Sequence, residues 1–350
     1  MKSEPLLEVR GLSRHWRAFS LSDVDLAISE GDYCMILGEN GAGKTLLLET
    51  ILGFHRPDSG KILVNGTDVT LLPPEARGIG FVPQDPSLFP HMSVRDNIEF
   101  GLRMRKVPEG ECRRASDELL DLMNLVEFAE RRPASLSGGE IKKTALARAF
   151  AVKPRILLLD EPLSSIDQKA RSTLMAELKS IHDSRLHTIL HVTHDQDEAY
   201  SLADKVAVMR RGKIAQLGTV EEIYRRPVDV ETAEFLGFNN LLELAEIIDP
   251  YRVKVNGVNL STATDASGCR KLGIRSEDIL LRMDKPSGKA NVFRCTISNV
   301  SHKVTKIEMM ADIGFKLKIS LSRREYASLG WTEGDELYVE IPPDALRIFS

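Results

Sequence analysis

Eight consecutive residues constrain this chain more than any others: Gly38-Glu39-Asn40-Gly41-Ala42-Gly43-Lys44-Thr45. They read G-x-x-x-x-G-K-T, a phosphate loop. The apolar run Tyr33-Cys34-Met35-Ile36-Leu37 precedes them as a buried strand, and Leu46 to Leu52 follow as a helix. A strand passing into a helix through a glycine-rich turn points backbone N–H groups and the helix N-terminus at a polyphosphate. The pattern assigns Lys44 to the β- and γ-phosphates and the Thr45 hydroxyl to Mg²⁺. A chain built around this turn binds a nucleoside triphosphate.

Three further strand-like runs end on residues able to do chemistry. Gly78 to Gln84 ends on a glutamine, Ile156 to Pro162 passes through Asp160 and Glu161, and Thr188 to His194 ends on a histidine. A lone histidine at a strand end is usually structural. Here the pattern gathers it with Gln84, Asp160 and Glu161 at one edge of a parallel sheet, where open α/β sheets bind ligands. A carboxylate beside a phosphate loop suits Asp160 to steadying Mg²⁺, and the adjacent Glu161 can polarise an attacking water. Leu136-Ser137-Gly138-Gly139-Glu140 opens a helix over 141–152, with Ser137 as N-cap. That helix start suits a phosphate, or is a plain helix start. Trp16 and Phe19 lie between two short strands, Leu6 to Val9 and Val24 to Ile28. One of them, Trp16 ahead of Phe19, is a candidate to stack on a base, or both fill a sheet edge. The helical pattern from Val94 to Glu130 is interrupted by the cationic stretch Arg103 to Arg114, a solvated face or a contact surface.

In this order, the phosphate loop, strand-end glutamine, L-S-G-G-E, L-L-L-L-D-E-P, S-S-I-D and V-T-H resemble the ATPase subunits of ATP-binding cassette transporters. The resemblance covers residues 1–237, with a helical subdomain over about 85–150. It implies a P-loop α/β fold and ATP with Mg²⁺ as the nucleotide and its ion. It implies Glu161 as catalytic base, Gln84 on Mg²⁺ and the attacking water, and His194 on the γ-phosphate. Asp167 of S-S-I-D joins the nucleotide-contacting residues. It also implies a head-to-tail pair of chains in which Ser137, Gly138 and Gly139 clamp the nucleotide held by the other copy's Lys44. Ile141-Lys142-Lys143 departs from the usual Gln- and Arg-containing continuation, and Ile166 stands where a leucine is commoner.

Residues 240–350 change texture to short alternating runs, among them Tyr251 to Val255, Phe315 to Ile319 and Glu336 to Ile341. Turns at Asn256-Gly257, Ser287-Gly288 and Glu333 to Asp335 separate them, predicting a small, mostly-β, barrel-like second domain. Gly273 to Asp278 resembles the regulatory domains of importer ATPases. Asn239 to Leu242, Arg294 to Ile348 and above all Ser328 to Tyr338 resemble the molybdate-binding fold. Gly31 to Cys34 and Ile189 to Asp195 resemble archaeal-type molybdate/tungstate importers. That likeness implies an importer of molybdate or tungstate, with sulfate, ferric iron, polyamine and sugar as alternatives. Its partners are then a membrane permease and an extracytoplasmic oxyanion-binding protein. The hydroxyls and cations of Ser301, His302, Lys303, Thr305 and Lys306 are a candidate oxyanion site that inhibits, or an exposed polar strand.

Bulk properties narrow the field. A net charge of 47 − 51 = −4 gives no global basic field for nucleic acid. No apolar run approaches a membrane span, and the first residues lack a signal pattern, so the expected location is the cytoplasmic face of a membrane. Four scattered cysteines without C-x-x-C spacing fit a reducing compartment. A chromosome or repair ATPase of the same superfamily would carry long heptad insertions before the signature, and none is present.

Overall fold

The computed structural model describes residues 4–183, 187–331 and 337–349. It divides into two compact units, Met1–Ile223 and Tyr224–Ser350.

The first unit begins with the hairpin β1 (Leu7–His15) and β2 (Ser20–Ile28), followed by β3 (Tyr33–Leu37) and α1 (Lys44–Leu52). Next come β4 (Ser59–Val64), β5 (Thr67–Asp68), β6 (Ile79–Val82), α2 (Val94–Met104), α3 (Glu109–Leu122) and α4 (Gly138–Ala151). The unit continues with β7 (Ile156–Asp160), α5 (Gln168–Asp183), β8 (Thr188–Thr193), α6 (Gln196–Leu202), β9 (Lys205–Arg210) and β10 (Lys213–Thr219). Six strands form one sheet in the order β10-β9-β3-β8-β7-β6, parallel except for β10. Every residue of β3, β7 and β8 is buried, which is why these strands read as unbroken apolar runs. A second, antiparallel sheet has the order β2-β1-β4-β5.

The core joining these layers takes Leu7, Leu12 and Leu26 from the antiparallel sheet. Leu47, Leu48 and Ile51 come from α1, and Ile36, Leu158 and Leu190 from the parallel sheet. Helix α1 is therefore apolar on most sides. Each such leucine or isoleucine contributes about 1.5–3 kcal/mol by leaving water. The hairpin strands are longer than the apolar runs suggest, because the pairing continues through polar residues to His15 opposite Ser20. The stretch 103–114 is mostly exposed and lies across the α2–α3 break, with Arg103 bonded to Glu99 at 2.6 Å.

The change of unit at residue 223 falls earlier than the change of texture at 237–240. The cause is local packing: Ala233, Phe238 and Phe349 form a small core of their own. After α7 (Val220–Arg225), the second unit holds α8 (Val230–Phe235), β11 (Asn240–Glu243), β12 (Glu246–Asp249), β13 (Arg252–Val255), β14 (Val258–Ser261) and β15 (Lys271–Ile274). It ends with β16 (Leu280–Arg282), β17 (Val292–His302), β18 (Lys306–Asp312), β19 (Lys316–Ser322), α9 (Arg323–Leu329), β20 (Leu337–Glu340) and β21 (Arg347–Phe349). These strands make three antiparallel sheets, β11-β15-β21, β12-β13-β14 and β16-β20-β17-β18-β19, around one apolar core. Asn256 and Gly257 turn β13 into β14 with φ of 45° and 87°, the left-handed pair that a two-residue hairpin requires. The turn expected at Glu333 to Asp335, and Thr332 to Glu336 of the Ser328 to Tyr338 run, lie outside the described residues. All four cysteines are buried free thiols. No described helix is long and apolar enough to cross a membrane.

Candidate nucleotide site

The phosphate loop leaves the C-terminal end of β3 and enters α1 at Lys44. Gly41 and Gly43 have φ of 82° and 100°, where a side chain would be strained. A Cβ on Gly43 would also run into the Phe19 ring, and one on Gly38 into the Met209 carbonyl. The loop is braced from outside: Gly212 N–H donates to the Ala42 carbonyl at 2.9 Å, and the Gly212 carbonyl accepts from Ser22 N–H at 3.0 Å. Glu39, Asn40 and Gly41 are exposed at its tip. Lys44 is only 6% exposed and donates to the carbonyls of Gly38 at 2.8 Å and Glu39 at 3.0 Å. Burial lowers its pKa, while Glu161 and Asp160 pull the other way. Partly desolvated and flanked by main-chain carbonyls, this ammonium is suited to an anion.

Parallel pairing brings the chemical residues to the same edge. β3 pairs with β8 and β8 with β7, so Leu37, Thr193 and Asp160 close adjacent strands. Thr45 Oγ1 donates to Asp160 Oδ1 at 3.1 Å. Asp160 is 3% exposed, and burial raises its pKa, opposed by the Thr45 hydrogen bond. A hydroxyl and a carboxylate oxygen are hard donors. Together they fit Mg²⁺, which uses one or two protein oxygens and takes the rest from phosphate and water. Among the described residues no group of three or more His, Cys, Asp or Glu forms a self-sufficient metal site.

Glu161 follows with φ of 44°, an unusual conformation for a non-glycine residue. Its N–H donates to the Val192 carbonyl at 3.0 Å, and its Oε1 lies 3.1 Å from His194 Nδ1. Gln84 is exposed two residues beyond β6, whose Val82 pairs with Leu159. The structure thus brings Lys44, Thr45, Asp160, Glu161 and His194 together, with Gln84 on the neighbouring strand end. Trp16 is half-buried at the hairpin turn, edge-on to His55 at 5.3 Å and 5.5 Å from the Arg14 guanidinium.

Ser137 caps α4 in a reciprocal box with Glu140: Ser137 N–H donates to Glu140 Oε2 at 2.7 Å, and Glu140 N–H to Ser137 Oγ at 3.4 Å. Gly138 faces Ser165 and Gly139 faces Ala170, so the helix start lies against the turn after Glu161. Asp167 Oδ1 accepts from the Lys169 and Ala170 amides at 3.0 Å each, which makes it the cap of α5. Ser301, His302 and Lys306 lie at the ends of β17 and β18, with Lys303 and Thr305 in the exposed turn between them. Val304 at its tip is 89% exposed. Arg323 ties that turn by donating to the carbonyls of Lys303 and Val304, while Lys306 pairs with Glu308 at 3.1 Å.

Several supporting residues carry no motif in the sequence. Lys142 and Lys143 looked like departures from a motif, yet both are buried and hydrogen-bonded. Arg148 of α4 donates to the Ser87 carbonyl at 2.9 Å and lies 5.3 Å from the Phe89 ring, holding the loop after Gln84. Their signal was a cation inside an otherwise apolar helix face.

Comparison with known proteins follows the same lines. The ABC transporter family model matches residues 21–164. The molybdate/tungstate import ATP-binding protein of Pyrococcus abyssi is 38% identical over 346 residues, covering 98% of this chain and 100% of that protein. Its namesake from Thermococcus kodakarensis is 45% identical over 294 residues, 83% and 88% of the two chains. A sulfate/thiosulfate import ATP-binding protein of Mycobacterium tuberculosis is 37% identical over 333 residues, 93% and 90%. Among solved structures, cbiO1 from Clostridium perfringens, part of the ABC transporter complex cbiONQ, matches with a TM-score of 0.59 and 30% identity, over 64% of this chain and 92% of that one. Full-length relatives at this identity, joined to the phosphate-loop sheet, establish that the chain belongs to the ABC transporter family and is one of its ATP-binding ATPases.

Proposed function

We propose that this ATPase powers import of molybdate or tungstate through a membrane permease, from the cytoplasmic face, as a head-to-tail pair of identical chains. The observation that carries the chemistry is the Glu161 carboxylate held 3.1 Å from His194 beside the Thr45–Asp160 pair. Lys44 and the loop amides bind the β- and γ-phosphates, and Thr45 with Asp160 would hold Mg²⁺, aided by Gln84. Bound there, the ion supplies neutralising charge at the phosphate oxygens. Glu161 accepts a proton from the attacking water while His194 orients that carboxylate and reaches the γ-phosphate. Ser137, Gly138 and Gly139 of one copy close over the nucleotide of the other, Asp167 lies at that junction, and Trp16 stacks on the adenine. Hydrolysis then reopens the pair, and the permease follows that movement.

The cargo assignment is supported by relatives named for molybdate/tungstate import that match 98% of the chain, the second unit included. Residues 1–237 then serve as the ATPase domain and 240–350 as a regulatory domain, in which Ser301, His302, Lys303, Thr305 and Lys306 receive the oxyanion. An extracytoplasmic oxyanion-binding protein delivers the cargo. The second reading, sulfate, is favoured by the 37% identity to a sulfate/thiosulfate import protein over 93% of the chain. ATPase activity of the reconstituted transporter, measured with each oxyanion supplied on its binding protein, separates the two. Stimulation by molybdate or tungstate and not by sulfate supports the first reading, and the reverse pattern replaces it.

A further inference from the structure

Lys142 is 7% exposed, and its ammonium donates into a single turn of chain, the one that follows Asp160. It donates to the Ser164 carbonyl, to Ser164 Oγ at 3.1 Å and to the Glu161 carbonyl at 3.3 Å. The arrangement saturates: three N–H donors meet three oxygens, and Ser164 Oγ passes its own proton on to the Glu161 carbonyl at 2.8 Å. Ser164 N–H reaches the same carbonyl at 3.1 Å. A left-handed glutamate persists only where its surroundings over-determine it. Here the Val192 carbonyl holds the amide of Glu161 from one side, and Lys142 with Ser164 holds its carbonyl from the other. Neither of the two peptide groups flanking Glu161 can rotate without giving up hydrogen bonds, so the carboxylate stays directed at His194.

Helix α4 carries both ends of a connection. Its first residues, Gly138 and Gly139, pack against Ser165 and Ala170, and Lys142 grips the turn that leads to them. We infer that Lys142 is a positioning residue for hydrolysis, fixing Glu161 through the 161–164 turn and tying that turn to the helix of the L-S-G-G-E segment. This inference rests on the base role assigned to Glu161.

The test uses the full chain with Lys142→Met, Lys142→Arg and Ser164→Ala, each assayed for KM, kcat and thermal unfolding. A misaimed carboxylate costs about ten- to a hundred-fold in rate, so Lys142→Met lowers kcat by that factor and leaves the KM for ATP within about two-fold. Lys142→Arg, which keeps donors on a long stem, recovers much of the loss. Ser164→Ala removes one oxygen from the cage and gives a smaller fall in kcat, a readout that survives if Lys142→Met fails to fold. Adding Lys142→Met to Glu161→Gln causes no further loss of residual single-turnover hydrolysis, because both act through one group. Unchanged kcat in Lys142→Met and Ser164→Ala, or a fully multiplicative loss in the double variant, overturns the inference. Full hydrolysis by Glu161→Gln instead removes the base role itself, whatever Lys142 does.

Discussion

Glu161, just beyond β7, and His191, on the neighbouring β8, show how two nearby residues serve opposite ends. Glu161 is partly open, in a strained backbone conformation, and paired with His194. Replacing it with glutamine keeps the shape and removes the proton acceptor. Steady-state hydrolysis should fall about 10²–10⁴-fold while ATP binding persists; a variant that turns over at the parent rate would take the base role from Glu161. His191, three residues before His194, is wholly buried, with Tyr33 Oη 2.9 Å from Nδ1. Burial brings its pKa down to about 3. It is therefore neutral in the fold but free to protonate in the unfolded chain below about pH 6.5. The unfolded state then binds the extra proton, so stability drops as pH falls from 6.5 towards 3. Between pH 7 and 5 this single group removes about 2 kcal/mol. His191→Gln, which keeps a hydrogen-bonding group for Tyr33, should unfold in urea with a smaller loss between those two pH values than the parent chain. Equal losses would show that His191 does not titrate this way.

Helices α4 and α5 are joined by a buried ion pair, Lys143 Nζ to Glu177 Oε1 at 2.6 Å, with Asn124 Nδ2 on the same oxygen at 2.8 Å. Lys143 also donates to the Met123 carbonyl at 3.1 Å, closing the end of α3 onto the pair. Removing one charge strands the other, so Lys143→Met should cost about 3–5 kcal/mol. Lys143→Met with Glu177→Gln, which still gives Asn124 an acceptor, should recover most of that in denaturant unfolding. A double variant as weak as the sum of the single ones would mean the pair is not coupled. These two elements also mark where the sequence could be read and where it could not. Apolar runs and end signals give β3, β7, β8 and α1 directly, because fully buried parallel strands have no polar face to hide them. The caps of α4 and α5 are legible in Ser137 and in Asp167. Lys142 and Lys143 could not be assigned, since their partners stand 22 and 34 residues away and only the folded sheet brings them near. The full length of the hairpin β1–β2 is hidden in the sequence for a related reason: cross-strand pairing, not local hydrophobicity, carries it to His15.

At the scale of the whole molecule, the decisive question is what completes the nucleotide site. In the proposed site Lys44, Thr45, Asp160, Glu161 and His194 would cover one side of a bound triphosphate. The second helix start suited to an anion, at Gly138 and Gly139, is flanked on its own chain by the Ser165 carbonyl and by Ala170 of α5. Its cap uses the Ser137 hydroxyl for the Glu140 amide, and neither glycine places a Cβ over its own N–H group. In the proposed pair such a start would serve a nucleotide brought by another copy, so that two nucleotides would hold two copies together. On that reading closure would be transient while Glu161 can act, because hydrolysis would remove the phosphate that bridges the copies. With Glu161→Gln the closed pair should accumulate. Light scattering on that variant should give twice the monomer mass with ATP and Mg²⁺, and monomer mass with EDTA or ADP. Ser137→Arg added to it, placing a long cation where the phosphate would sit, should return the mass to that of the monomer with ATP still bound. A variant that stays monomeric in ATP and Mg²⁺, beside a parent chain that hydrolyses at full speed as a monomer, would mean that one copy holds a complete site.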